Sequence, residues 1–478
     1  MRALRISWYG AIACLLTHCG GSGSSAPAGA TPAQMSAVAV LLSSNDNDQL
    51  SQMIFTMTGL TLTNRSGHTV SVSTTPVSAE VIHLNGAVEP ILIANVPQDT
   101  YVAANVTLSF AEFFCMSLNA NQLGVGEWPN FQSPTTTVTL PQPITIARAQ
   151  SSLVLTLQAS QSVTTATCGP TGVLNGPYSI TPVFSLTAAT SSAESSSGAI
   201  GKASNLVGNV TSIDAAAGSF QLTALDGPAW TVTTSASTAY QGIGGSSALA
   251  SGMPVDVDAS IQADGSLLVT RVSVPDVSTS NLTSWLGPLM GVFGPNVQFL
   301  MGPLAARGTL LSEFSPGWGG LGFGSAAFQV SGQFTNLQSL PFPTSFTGNT
   351  IVAGQRVLVT THASTFPYSP GLVPVATMTL MPQTIDGTVT AVSSVGGFAV
   401  YSVQLAAYDP FPLLSGLLNQ SNLLSNPGTV VVYADASAQA LTSQSITIGS
   451  VLRFRGLVFN DSGTLRMDCA QILDGASL

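Results

Sequence analysis

Charge is scarce in this sequence. Asp, Glu, Lys and Arg make up only 7% of its 478 residues, against roughly 25% in ordinary soluble domains. Lysine occurs once, at Lys202, and 11 basic residues against 21 acidic ones leave a net charge of −10. The densest basic group is Arg453, Arg455 and Arg466. That is no footprint for neutralising phosphates, so nucleic acid is not expected as a partner. Histidine is almost as rare: His18, His68, His83 and His362 are far apart. A zinc site needs three or four grouped ligands, and a Ser-His-Asp device needs a histidine beside its nucleophile. No metal, no cofactor and no catalytic set is therefore expected. Beyond the N-terminus no uncharged apolar run reaches the roughly 18 residues of a membrane-spanning helix. The most apolar candidate, residues 285–304, is broken by Pro288, Pro295 and Pro303.

What is present is apolar and heavily punctuated. Hydrophobic residues make up 45% of the chain, with 46 glycines and 28 prolines among them and the polar residues. Enough core is available to fold, which excludes disorder throughout. The Gly/Pro density cuts the chain into short segments of the kind found in sandwiches and barrels. An all-β fold is expected.

The N-terminus reads as an address. Arg2 and Arg5 precede a mostly apolar stretch from Ile6 to Leu16, the layout of a secretory signal. A tether, GGSGSSAPAGATPAQ, follows. Between them, Leu16-Thr17-His18-Cys19 resembles a bacterial lipobox, in which the cysteine is acylated and becomes the mature N-terminus. The resemblance implies a signal peptide over 1–18, lipid attachment at Cys19 and a tether over 19–36. Ala11-Ile12-Ala13-Cys14 is the alternative site. Gly20 after the cysteine implies, by the same resemblance, the outer membrane, facing the periplasm or the surface.

Residues 37–187 read as strands separated by turn signals such as NRSGH at 64–68 and VPQDT at 96–100. Alternation is clearest at Val102, Val106 and Leu108, and at Leu153, Leu155 and Leu157. The pattern predicts an antiparallel β-sandwich. The succession F55-TMTGLTLTNRSGHTVSV, V81-IHLNG and I91-LIANVPQDTYVAANVTLSF resembles an N-terminal domain of unknown function in bacterial lipoproteins. That resemblance implies a transthyretin-like or carboxypeptidase-regulatory-like sandwich.

A Ser/Ala linker is expected over 188–204, and internal repetition follows. V207-GNVTSIDAAAGSFQL-222 with L249-ASGMPV is matched by I385-DGTVTAVSSVGGFAVYSVQL-405 with I448-GSVLRF. A degenerate middle copy includes V352-AGQRVLVTTHA and V375-ATMTLMPQ. These units resemble a second bacterial domain of unknown function, a small OB-like barrel found in tandem. Two to three barrels are expected: 205–277, 278–382 with a Gly/Pro-rich insertion, and 383–478. The insertion DPFPLLSGLLNQSNLLSNPG at 409–428 predicts a short helix or an apolar loop.

Few residues stand out chemically. Outside the cytoplasm Cys115 and Cys168 are a possible disulfide, worth about 4 kcal/mol for a loop of about 53 residues in the chain-entropy model. Cys469 reads as a buried thiol. Ser44 to Asp48, SNDND, is the only dense oxygen-ligand run, and it lacks EF-hand spacing. His68 and His83 read as solvent-facing. Gly317 to Gly322 matches G-x-G-x-x-G but lacks the strand and helix that the nucleotide motif needs. The expected function is non-catalytic: binding, adhesion or structure in the cell envelope, with an envelope protein or a carbohydrate as partner. A carbohydrate-binding or polysaccharide-active protein is the alternative, and a groove lined by Trp285, Trp318 or Tyr433 would favour it. An outer-membrane β-barrel is the second alternative, prompted by the low charge and a mean hydropathy of +0.40.

Overall fold

A computed structural model describes residues 34–45, 50–81, 84, 88–115, 125–127, 130–131, 135–147, 150–164, 179–189, 199–224, 229–262, 266–277, 283–293, 298–301, 305–306, 309–310, 319–332, 337–361, 373–406, 409–415, 422–440, 442 and 445–474. Over these residues the chain is nearly all strand, as expected.

The first part is a sandwich. One sheet has four strands in the order Phe184–Ala188, Gln150–Gln158, Met35–Asn45 and Glu89–Pro97. The other has seven and is built on Leu50–Asn64 and Asp99–Cys115. Their inner faces share one core that includes Val38, Val40, Leu42, Phe55, Leu155 and Phe184. The expected antiparallel pairing contains a parallel seam, with Met35–Asn45 running alongside Gln150–Gln158. That strand reads VAVLL over 38–42 because both of its faces are covered, as in buried strands generally. Val38 and Val40 enter the sandwich core, while Ala39 and Leu41 enter the core of the next domain. The two turn signals meet: the Asn64 amide donates to Asp99 at 2.6 Å, and the Tyr101 hydroxyl donates to the Pro97 carbonyl at 2.7 Å.

Three barrels follow, each a closed ring of five strands. In the first they are Ala199–Asp214, Ser219–Ala224, Ala229–Thr233, Pro254–Gln262 and Leu267–Ser273. In the second they are Thr283–Phe293, Gln298–Met301, Gly319–Gly322, Arg356–Thr361 and Val373–Leu380. In the third they are Gln383–Val395, Phe398–Leu405, Thr429–Ala440, Val451–Asp461 and Thr464–Asp474. In every ring the order is first, second, third, fifth, fourth, with the third and fifth strands parallel. The middle copy, degenerate in sequence, is complete in topology. The first strand of the first barrel begins inside the segment expected as linker, at Ala199.

The shared sequence skeleton has a physical reason. In Gly208-Asn209-Val210, Gly287-Pro288-Leu289 and Gly387-Thr388-Val389 the first strand bulges at or after the third residue. A Cβ at Gly208 would lie 2.2 Å from the Thr223 carbonyl oxygen, and one at Gly387 would lie 2.3 Å from that of Gln404. Only glycine fits that close approach. The bulged residue then donates to the carbonyl of Met253, Gln355 or Ser450 at 2.8–2.9 Å. It accepts in return from Gly252, Gly354 or Gly449, which turn into the fourth strand with φ of +92°, +96° and +92°. The 409–428 insertion begins with a helix, Pro410–Leu414, capped by Asp409. Phe411 lies against Gly354 of the second barrel.

Candidate functional site

The domains are joined through covered faces. Trp230 of the first barrel donates its indole N–H to the Pro90 carbonyl of the sandwich at 2.7 Å. The core of the second barrel continues into Phe398, Val400, Tyr433 and Phe459 of the third. Between the first and third barrels lies a charged junction. Arg271 pairs with Asp258 at 2.9 Å and with Asp256 at 3.3 Å. Ser331 of the second barrel donates to Asp256 at 2.8 Å. Burial pushes the Asp258 carboxyl up, against the opposing pull of Arg271. Arg455 of the third barrel is buried and pushed down to about 10, chiefly by desolvation and then by Arg356, while Asp258 and Asp256 act the other way.

Through Asp258 this junction borders a cleft of about 410 Å³ between the two barrels. Lys202 and Asp258 line it from the first barrel; Asp435, Gln439, Asp468 and Gln471 line it from the third. Strand geometry explains the placement. In Met467-Asp468-Cys469 the flanking residues point into the barrel and Asp468 points out. Asp435 sits where the third strand shifts register between Ala434 and Gln439. One of its carboxylate oxygens accepts from Ser437 N at 2.7 Å, Ser437 Oγ at 2.6 Å and Ala438 N at 3.2 Å. Asp468 receives no hydrogen bond to its carboxylate among the described residues. Burial, and then the Asp435 charge, push it up to about 7. Gln471 donates to Gln439 Oε1 at 3.4 Å, and its own Oε1 is buried without a hydrogen-bond partner among the described residues.

The residues singled out from sequence lie elsewhere. Cys14, Cys19, Cys168, His83, His362, Trp318 and residues 46–48 fall outside the described residues. Cys115 ends a strand with its backbone beside Leu50 and Val125. Cys469 is buried; its thiol donates to the Gln471 carbonyl at 3.2 Å, and desolvation pushes its pKa up. His68 is exposed in its turn. Ser44 is buried and donates to the Val81 carbonyl at 2.6 Å. No group of three His, Cys, Asp or Glu side chains suited to a metal occurs among the described residues. An aromatic groove does not form around Trp285 or Tyr433. Trp285 is 1% exposed and Tyr433 6%, both in the core shared by the second and third barrels. Tyr433 packs on Phe342 with ring centroids 4.8 Å apart, and Arg466 donates to its hydroxyl.

The chain is thus an all-β protein of a sandwich followed by small five-stranded barrels. Residues 207–273, most of the first barrel, match the family described as Domain of unknown function (DUF5666). No curated protein matches the chain. Among solved structures, the Drosophila chain titled "drosophila Unr CSD456" is similar at 11% identity, covering 58% of this chain and 98% of that one with a TM-score of 0.12.

Proposed function

We propose that this chain is a non-catalytic cell-envelope lipoprotein: a lipid-anchored scaffold that presents a rigid series of β-domains for binding. The observation that carries this reading is Leu16-Thr17-His18-Cys19, set between an apolar run and a Gly/Ser tether. Acylation of Cys19 would hold the protein at the outer membrane, because each buried methylene contributes about 0.8 kcal/mol and several chains together anchor firmly. The binding role is supported by the polar cleft between the first and third barrels, which is bounded by a buried charged junction. The partner is an envelope protein or a carbohydrate.

The outer-membrane-barrel reading is weaker. Spanning barrels use eight or more strands with an apolar band facing lipid. Here each ring has five strands and fills its own interior, as with Val389, Val403, Val432, Phe454 and Met467 in the third barrel.

Metabolic labelling with a fatty-acid probe tests the anchor. Wild-type protein should take up label, Cys19→Ser should lose it, and Cys14→Ser should lose the label instead if Cys14 is the acylated residue. Equal labelling of wild type and both variants would overturn the reading.

A further inference from the structure

The cleft between the first and third barrels has a lining that selects a ligand class. Its acceptors exceed its donors. The Asp468 carboxylate takes no hydrogen bond among the described residues, and Gln471 Oε1 is buried without one. Asp468 lines the cleft with acceptor capacity unfilled, so a ligand carrying O–H or N–H donors gains by entering. Donors are present too. Lys202 is exposed at the cleft and forms no ion pair with another described residue, while Gln439 offers its amide nitrogen.

Charge narrows the choice further. An anionic ligand meets Asp435, Asp468 and Asp258, the last already paired with Arg271; a cation meets Lys202, and no three described carboxylate, thiol or imidazole groups are placed to hold a metal. A neutral ligand whose groups both donate and accept suits every one of these side chains. At about 410 Å³ the cleft lies within the usual range for small-molecule sites, roughly 300–1,000 Å³. No aromatic side chain lines it, so recognition would run through hydroxyl edges and not through stacking.

We propose that this cleft binds a neutral, hydroxyl-rich saccharide held between Asp468 and Gln471 of the third barrel and Lys202 of the first. The proposal rests on the binding role given above, and it names the ligand class for that role. Sugar hydroxyls would donate to Asp468 and accept from Lys202 and Gln439, with Gln471 shaping the wall beside them.

The test uses the full-length protein on an array of neutral oligosaccharides built from glucose, galactose, mannose and N-acetylglucosamine, followed by calorimetric titration of the best binder. Wild type should bind at least one of them. Asp468→Ala should weaken that binding tenfold or more, and Gln471→Leu severalfold. Thr390→Ala, on the exposed first strand of the third barrel, should leave it unchanged. Asp468→Asn, which keeps the side-chain shape, should also weaken binding while retaining the wild-type unfolding midpoint, so that lost binding is separated from lost folding. Absence of binding across the array would overturn the proposal. So would wild-type affinity in Asp468→Ala and Gln471→Leu, or a response to calcium alone. Fatty-acid labelling at Cys19 reads independently of all these outcomes, so the anchor and the ligand can fail separately.

Discussion

Asp409 makes the stability of the third barrel depend on pH, with a sign opposite to that of most carboxylates. Its side chain is fully buried. It accepts from Phe411 N at 3.2 Å, capping the short helix, and from Asp386 N at 3.3 Å, tying that helix to the first strand. Those two donors favour the anion, but desolvation outweighs them and pushes the pKa from 3.8 to about 7. Between about pH 4 and pH 7 the folded chain therefore holds a proton that the unfolded chain has released. Stability from this group is present in full below about pH 4 and is lost as pH rises through 7. A shift of about three units corresponds to about 4 kcal/mol at most. Asp409→Asn does not titrate, and its single amide oxygen keeps only one of the two backbone bonds, because Phe411 N and Asp386 N donate to different carboxylate oxygens. Urea midpoints at pH 5 and pH 8 are the assay. Wild type should lose stability between them, and Asp409→Asn, though less stable at pH 5 for want of one backbone bond, should lose markedly less. A small slope of the same sign should persist, because Asp468 is also pushed up to about 7. Equal pH 5-to-8 losses in wild type and variant would refute the reasoning.

Two further outcomes follow from the barrel geometry. Gly387→Ala places a Cβ 2.3 Å from the Gln404 carbonyl oxygen and 2.7 Å from a Val403 methyl, and should cost about 3 kcal/mol or more in urea unfolding. Gly59→Ala, whose nearest neighbour is at 3.6 Å, should cost far less, and equal costs would show that the bulge tolerates a side chain. Arg271→Met strips the guanidinium from two buried or half-buried carboxylates and should cost about 3–5 kcal/mol. The triple variant that also carries Asp256→Asn and Asp258→Asn should recover much of that loss, and a single variant within 1 kcal/mol of wild type would remove the junction's structural role.

The repeat was legible because it is written in residues with local physical duties. Gly208 and Gly387 are forced by a carbonyl, and Gly252, Gly354 and Gly449 by positive φ, so the spacing survives where the apolar residues between them vary. The middle copy looked degenerate because its first strand reads Trp285-Leu286-Gly287-Pro288-Leu289, where proline breaks the V-T signature but keeps the bulge. Strand alternation explains why Asp468 faces outward between Met467 and Cys469, whose side chains enter the barrel core. What it could not supply was the surface opposite. Asp468 faces residues of the first barrel about two hundred positions earlier, and no local pattern encodes such a meeting. Trp285 and Tyr433 misled for the same reason: alternation gives the side of a strand but not what covers it.

The position just before the bulge glycine shows how these outer faces were put to use. In each barrel it pairs across to the fourth strand at the same register: Val207 with Asp256, Leu286 with Leu358, and Asp386 with Arg453. All six are at most 5% exposed, although they lie outside the barrel interiors. The apolar members Val207, Leu286 and Leu358 form a small cluster with Met381 across the first and second barrels. In the first and third barrels charged residues occupy the same surface. A strand bearing Asp256 and Asp258, or Arg453 and Arg455, reads as solvated when taken alone. Here the two strands bring opposite charges into one buried region, where Asp256 and Asp258 act on Arg455. Such groups contribute little net stability over an apolar substitute, but any arrangement that separates them leaves uncompensated charge away from water. The junction is thereby biased toward one relative placement of the first and third barrels. A cleft assembled from Lys202 on one barrel and Asp468 and Gln471 on the other keeps its geometry only if that placement is kept.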